Sequence, residues 1–373
     1  MKNKKIIPLI VFALLIVGAC KKERNTTPEP AKVNTVPEFF SENTVDKYGE
    51  TSPVYTLIAN NSSKISSPQD LDFNPTRQNE LWIINKGIEA IGGSTVMITQ
   101  PGTPGQQYDY RQDGNAWHFM SLPSAISFSN NGNWATSPNV LDANHNGGTY
   151  TGPSLWSGNL TIYAKPSGGN GSHLDMLHGS PFAMGIANEK DNIYWVFDGY
   201  NKYICRYNFN GDHGPGNDDH SNGNIHRYTE VVVKRNPAVP SHLAFDKDKR
   251  WLYIVDGGNK QILRMDITTG NKTADLPLKN EPLAQHWKIE GVNREIVINE
   301  GLKQPCGIEI NGNRLFVTDY ETGDIICYDI ATKKELARIN TGKPGIMGIK
   351  LGPDNKLWFV NANSSEIFRV DPN

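Results

Sequence analysis

Six prolines spaced along the chain each begin the same short pattern, in which apolar residues follow three and five positions later. These prolines are Pro68, Pro123, Pro181, Pro240, Pro305 and Pro344. Apolar residues that alternate in this way indicate a strand with one strongly buried face. A repeated unit of this size cannot bury its apolar face alone. The repeats therefore indicate one fold built from stacked copies, rather than two or three independent domains.

A second pattern follows each proline at a nearly constant offset. It is an aromatic residue with a short polar residue three positions later, as in Trp195 with Asp198 and Phe316 with Asp319. In four repeats an isoleucine comes six residues after the polar one, as Ile204 does, and opens a third strand. We expect the polar residue to accept hydrogen bonds from turn N–H groups at the end of the second strand. Each repeat therefore predicts a three- or four-stranded antiparallel sheet, the size of a propeller blade.

The segment from Gln304 to Ile330, QPCGIEINGNRLFVTDYETGDIICYDI, is the best example of the repeat, and it resembles the NHL repeat. The resemblance extends from about Pro181 to the C-terminus and implies an all-β, six-bladed β-propeller. After Pro344 the chain has room for only three strands. Val54 to Asn60 is a strand pattern without a partner of its own, so we expect it to complete the last blade and close the ring.

The N-terminus has the features of an export signal. Lysines precede an apolar run from Ile6 to Ala19 that is too short to span a bilayer, and Cys20 follows. The ending LIVGAC resembles a bacterial lipobox, which implies lipidation of Cys20; an ordinary signal peptide with an incidental cysteine is the alternative. We therefore predict a signal peptide at 1–20, a flexible tether at 21–50 and the propeller at 51–373. This organisation implies a lipid anchor in the cell envelope, with the outer membrane favoured.

A metal site at the central channel is one functional hypothesis. Residues two positions after each proline are expected to face the channel, among them Asp70 and His242, with Cys306 and His178 nearby. The propeller also resembles peptidylamidoglycolate lyase, which implies a zinc site on histidines at strand starts, although that family's three-histidine set is not preserved here. The fold is similar to gluconolactonases as well, which implies a divalent ion. Zinc on His178, His242, Asp70 and Cys306 is thus one expectation, and structural roles for these residues are the alternative.

Two Asn- and Gly-rich loops resemble the opening of a calcium-binding loop. The first contains Asp142, Asn144 and Asn146, and the second contains Asp218 and Asn222. Oxygen-bearing side chains at alternate positions followed by glycine suit Ca²⁺. The first loop has Pro153 where the closing carboxylate usually stands, the second has His220 where an oxygen ligand is wanted, and turns of this composition also occur without ions.

Function is less constrained than fold. The chain has no nucleophile elbow, phosphate-binding glycine loop, HExxH or CxxC motif, so catalytic residues stay unknown. Its formal net charge of −2 argues against nucleic-acid binding. The first hypothesis is a binding module for a protein, peptide or glycan, with a membrane contact through the lipid anchor. The second is a metal-dependent lyase or lactonase at the central channel, with calcium or zinc as the candidate cofactor.

Overall fold

Six sheets, in which all strand pairs but one are antiparallel, surround a central channel in the computed structural model of the protein, which describes residues 36–41, 52–165, 169–217, 219–278 and 281–372. The six-bladed β-propeller predicted from the repeats is confirmed. Helix is confined to the four-residue α1 and a 3₁₀ turn at Asn61–Ser63 within the described residues. None of the helices in these ranges is long and apolar enough to cross a membrane.

The strands follow one another around the ring, and each blade begins at the channel. Strand β1 is Val54–Ala59. Blade 1 consists of β2 (Pro68–Phe73), β3 (Glu80–Ile88), β4 (Gly92–Thr99) and β5 (Gln107–Arg111), and α1 (Ala116–Phe119) follows it. Blade 2 consists of β6 (Pro123–Phe128), β7 (Asn133–Pro138), β8 (Ser154–Ser157) and β9 (Asp175–Met176). Blade 3 begins with β10 (Ala183–Lys190), β11 (Ile193–Asp198), β12 (Tyr203–Asn208) and β13 (Asn224–Val232).

The second half continues in the same way apart from one inserted hairpin. Blade 4 consists of β14 (Leu243–Asp246), β15 (Trp251–Asp256), β16 (Gln261–Asp266) and, after the hairpin of β17 (Asn271–Asp275) and β18 (Gln285–Glu290), β19 (Arg294–Ile298). Blade 5 consists of β20 (Pro305–Asn311), β21 (Arg314–Asp319), β22 (Asp324–Asp329) and β23 (Glu335–Asn340). Blade 6 consists of β24 (Ile346–Leu351), β25 (Leu357–Asn361) and β26 (Glu366–Asp371), with β1 as its fourth strand.

Strand β1 closes the ring as predicted. It pairs antiparallel with β26, and Val54 lies opposite Asp371. The last blade thus combines the two ends of the propeller and gains the outer strand that its own repeat lacks. Closure of this kind leaves no incomplete sheet between the first and last blades.

The apolar core is divided among the interfaces between neighbouring blades. The described residues form six clusters of buried side chains, and each cluster draws mainly on two adjacent blades. The cluster between blades 1 and 2 is the most aromatic, with Trp82, Trp134, Trp156 and Tyr163 all fully buried. The aromatic residue of the repeat is therefore a packing residue between blades.

The repeated aspartates end the second strands and have structural roles, as the repeat predicts. Asp198 Oδ1 accepts hydrogen bonds from the backbone N–H groups of Tyr200 and Asn201, at 3.1 and 2.8 Å. Asp319 accepts from four backbone N–H groups on two sides of its turn. Short acceptors suit these positions because turn N–H groups have no partner within the sheet.

The hairpin of β17 and β18 extends blade 3, although it is inserted in the sequence of blade 4. Strand β18 pairs parallel with β13, and Asn224 lies opposite Gln285. Blade 3 therefore has six strands in the order β10, β11, β12, β13, β18, β17. This pairing carries the segment before β18 over to the boundary between blades 2 and 3.

Part of the predicted tether packs on the propeller. Val36, Phe39 and Phe40 are buried in the cluster between blades 5 and 6, and Phe39 meets Phe316 edge to face with ring centroids 5.6 Å apart. Glu38 is also buried and pairs with Arg314 at 2.6 Å. Residues 36–41 thus differ from the extended tether expected from their sequence, because two phenylalanines and a paired carboxylate find a complementary surface. Residues 1–35 and 42–51, including Cys20, lie outside the described residues.

Candidate functional site

In five of the six blades the inner strand begins with a local irregularity in its pairing with the second strand. In blade 1 the register with β3 shifts between Pro68 and Asp70, and in blade 5 a shift follows Pro305. Bulges of this kind change the direction in which a side chain points. The structure brings His242 and Asp70 together here, with His242 Nδ1 3.7 Å from Asp70 Oδ1.

The remaining atoms of this pair are engaged within the protein. His242 Nε2 donates to the carbonyl of Ser124 at 2.9 Å, and Asp70 Oδ2 accepts from the Ile126 N–H at 3.1 Å. Burial raises the pKa of Asp70, although His242 acts to lower it. Burial, with Asp70 nearby, also raises the pKa of the Cys306 thiol well above its usual value. Such a thiol is not a reactive nucleophile.

The predicted four-residue metal site is not assembled. Asp70 lies beside His242 and Cys306, whereas His178 lies against Glu281 and Tyr150. Nowhere in the described ranges are three or more His, Cys, Asp or Glu residues placed to hold a metal ion. The described cysteines Cys205, Cys306 and Cys327 are all buried and form no disulfide with one another.

The first predicted calcium loop is organised by hydrogen bonds to its own backbone. The Asp142 carboxylate accepts from the N–H groups of Asn144, Asn146 and Gly148, at 3.0, 2.9 and 2.9 Å. Burial acts to raise the pKa of Asp142, but these hydrogen bonds outweigh it and the pKa is lowered. These hydrogen bonds shape the turn around the Asp142 carboxylate.

In the second predicted calcium loop, Asp218 lies outside the described residues. Of its neighbours, His220 Nδ1 bonds Asp175 Oδ1 at 2.7 Å, and Asp219 accepts from the Ser221 N–H at 2.9 Å. The backbone carbonyl of Asn222 accepts from the Asn210 side chain. The described part of this loop is thus held by contacts between protein groups.

A cleft of about 840 Å³ lies between blades 2 and 3, and we name it the blade 2–3 cleft. Three segments that are distant in sequence form it. Residues 142–150 come from the loop between β7 and β8, His178 follows β9, and Glu281 precedes β18. The lining is completed by Gly179, Ile225, Arg227, Leu283 and His286. Its volume lies within the range of small-molecule sites.

His178 is the central polar residue of this cleft. Its Nδ1 donates to Glu281 Oε2 at 2.5 Å, and its backbone N–H lies 3.3 Å from both oxygens of the same carboxylate. The imidazole stacks on Tyr150, with ring centroids 3.4 Å apart. Burial lowers the pKa of His178, and the bond to Glu281 opposes this without cancelling it. The lowered pKa favours the neutral ring, in which Nδ1 carries the proton and Nε2 has the lone pair.

Arg227 forms the inner wall of the cleft. Its Nη1 lies 3.3 Å from Asp198 Oδ2, and its Nε donates to His286 Nε2 at 2.7 Å. His286 Nδ1 donates to the Pro277 carbonyl at 2.8 Å, which leaves Nε2 as the acceptor. Arg227 and Asp198 are both almost fully buried. This network connects the inserted hairpin to the second strand of blade 3.

A shallower extension of about 480 Å³ adjoins the cleft and shares His178, Tyr150, Asn144 and Glu281 with it. Its outer wall is formed by α1. There the Trp117 side chain is 38% exposed, and its ring lies 5.7 Å from that of His145.

The sequence indicated His178, Asp142, Asn144 and Asn146 as candidates, but not as members of one cleft. It did not identify Glu281, Tyr150, Arg227 or His286. Glu281 lies in the long insertion from Asn271 to Lys303, and that insertion was the only available signal, since loops on a rigid scaffold carry function.

The chain matches no protein-family model and no curated protein. Its similarity is to solved structures. An auxiliary nutrient binding protein from Bacteroides ovatus aligns over 90% of this chain and 76% of its own, with 11% identity and a TM-score of 0.54. A luciferin-regenerating enzyme aligns over 86% of this chain and 98% of its own, with 13% identity and a TM-score of 0.53.

A second auxiliary nutrient binding protein, from Bacteroides thetaiotaomicron, covers 81% of this chain and 68% of its own, at 13% identity and a TM-score of 0.50. At these identities the similarity shows the propeller fold alone. Binding proteins and an enzyme share that fold, so the function of this chain has to be argued from its own cleft.

Proposed function

We propose that this protein is a lipid-anchored propeller of the bacterial cell envelope that binds a protein, peptide or glycan ligand in the blade 2–3 cleft. The observation that carries the proposal is the buried His178, whose Nε2 has no hydrogen-bond partner among the described residues. A buried acceptor without a partner costs about 1–3 kcal/mol, and a ligand that donates to it recovers that energy. A concave site whose polar groups are held in fixed positions suits binding.

Binding has more support than a metal-dependent lyase or lactonase. Of the four predicted metal ligands, His242 has its Nε2 engaged by Ser124, and His178 has its Nδ1 engaged by Glu281. Catalytic zinc sites need three protein ligands that meet at one point. The blade 2–3 cleft needs no metal to act as a binding site.

The ligand site is tested by thermal unfolding of the full-length protein, purified in detergent, against panels of peptides and oligosaccharides. We expect at least one compound to raise the unfolding temperature of the wild-type protein and to have no effect on His178→Phe. His226→Phe is the matched control, because His226 stacks on Trp287 outside the cleft. A ligand that stabilises wild type and His178→Phe equally would place binding elsewhere and contradict the proposal.

The lipid anchor is tested by Cys20→Ser. We expect this change to move the protein from the membrane fraction to the soluble fraction and to abolish labelling by a radioactive fatty acid, because thioether-linked acyl chains need the Cys20 sulfur. Cys327→Ser is the control, since Cys327 is buried in blade 5. Continued membrane association of Cys20→Ser would refute the anchor without affecting the ligand site.

A further inference from the structure

The chemistry of the blade 2–3 cleft restricts which ligands it can accept. His178 is 7% exposed, and its Nδ1 is committed to Glu281. Its Nε2 is therefore a hydrogen-bond acceptor, with no partner in the part of the chain that the structure describes. A ligand that satisfies it has to offer an O–H or N–H donor.

The charges around the cleft disfavour an anion. Arg227 is the lining cation, and it is paired with the buried carboxylate of Asp198. Glu281 and Asp142 contribute two further carboxylates to the wall. Both accept hydrogen bonds from protein N–H groups, and neither forms an ion pair with Arg227. An acidic ligand would be repelled by this excess of negative charge.

The extension of the cleft adds an aromatic face and amide side chains. Trp117 is 38% exposed, and α1 places its ring near that of His118, with ring centroids 5.4 Å apart. Asn115, Asn144 and Asn170 line the same extension. An indole face suits an apolar ring surface, and amide groups both donate to and accept from hydroxyl groups.

From these features we infer that the ligand is an uncharged saccharide, which donates a hydroxyl to His178 Nε2 and packs a sugar ring near Trp117. The inference rests on the proposed function and specifies its ligand. A sugar has apolar C–H faces together with many hydroxyl donors and carries no charge, so it meets all three requirements of the cleft. The two connected volumes, about 840 and 480 Å³, provide room for more than one sugar residue.

The test is isothermal titration calorimetry on the full-length protein in detergent. The neutral probes are the hexasaccharides of cellulose, starch, xylan and mannan. Chitosan hexamer is the cationic probe, and oligogalacturonate is the anionic probe. We expect at least one neutral hexasaccharide to bind and oligogalacturonate not to bind. His178→Phe should weaken that binding about tenfold or more, because it keeps the ring and removes the acceptor.

Two further variants separate the roles of the acceptor and the aromatic face. His178→Gln retains an acceptor, so it should recover part of the affinity lost in His178→Phe. Trp117→Ala should weaken binding about fivefold. Tyr108→Ala is its matched control, since Tyr108 is 49% exposed on the outer strand of blade 1 and is not part of the lining.

The inference is overturned if no neutral hexasaccharide binds, if only a charged probe binds, or if His178→Phe and Trp117→Ala bind a neutral hexasaccharide as wild type does. A peptide or amine whose binding requires His178 would refute the saccharide and leave the proposed binding function intact. Neutral saccharide binding that is unaffected by every variant of the cleft would refute both.

Discussion

Arg227→Met is expected to lower the free energy of unfolding by about 3–5 kcal/mol, because it leaves a buried carboxylate without its cation. Arg227 is 4% exposed, and its partner Asp198 is fully buried. The change also removes the hydrogen bond from Arg227 Nε to His286. Urea unfolding followed by circular dichroism measures the loss.

A second substitution separates the effect of the unpaired charge on stability from the effect of lost packing. Asp198→Asn in the Arg227→Met background removes that charge, so the double variant should be more stable than Arg227→Met alone. Arg294→Met is the surface control. Arg294 and its partner Glu230 are 46% and 36% exposed, so less than about 1 kcal/mol is expected. Equal losses of unfolding free energy for Arg227→Met and Arg294→Met would contradict a stabilising role for the buried pair of Arg227 and Asp198.

The Arg227→Met variant should also depend on pH in a defined direction. Burial already raises the pKa of Asp198, and Arg227 acts to lower it. Without Arg227 the pKa of folded Asp198 rises further above its unfolded value. A group of this kind favours the folded state as it takes up a proton. The loss caused by Arg227→Met should therefore be largest at pH 7 and shrink as the pH falls.

Trp134→Ala is expected to destabilise the protein by about 3–5 kcal/mol, since it empties a large volume at the interface between blades 1 and 2. The Trp134 ring is fully buried, stacks on Trp156 at 5.7 Å and lies 5.4 Å from Trp82. Its Nε1 also donates to the Ser157 carbonyl at 3.2 Å, and that bond is lost as well. The midpoint of urea unfolding, again followed by circular dichroism, measures the effect.

Trp117→Ala is the matched control for Trp134→Ala. Trp117 is the same residue type but is 38% exposed, so its removal should change stability by only about 0.5 kcal/mol. Trp134→Ala is therefore expected to lower stability, whereas Trp117→Ala is expected to weaken ligand binding. A large loss of stability in Trp117→Ala would show that its role at the cleft had been misjudged.

Most of the fold could be predicted because the same strand pattern occurs six times in the sequence. Prolines mark the inner strands, aromatics mark the second strands and isoleucines such as Ile204 mark the third. Each of these signals reflects local strand geometry, which depends on neighbouring residues and on one buried face. The closing strand β1 was also predictable, because the last repeat lacked a fourth strand and Val54 to Asn60 had no other partner.

The blade 2–3 cleft could not be predicted in the same way. His178 and Glu281 are 103 residues apart, and their contact depends on the hairpin of β17 and β18 joining blade 3. Nothing in a blade 4 insertion indicates that its hairpin will pair with the preceding blade. Asp142 was identified as a calcium ligand candidate, yet its carboxylate binds the backbone of its own turn. The spacing of residues alone does not reveal which side-chain acceptors of a loop will bond to the loop's own backbone N–H groups.

The sequence by itself determined a ring of six repeated sheets. Each repeat specifies its own strands, and a single blade cannot bury its apolar faces without neighbouring blades. It also indicated that Asp198 and its equivalents end strands rather than perform chemistry. Only the tertiary structure decided that His178, Glu281, Tyr150 and Arg227 meet in one cleft. Those residues lie in insertions or in outer strands that the repeat does not constrain. Their contacts are formed by packing between distant segments, which leaves no local periodicity in the chain.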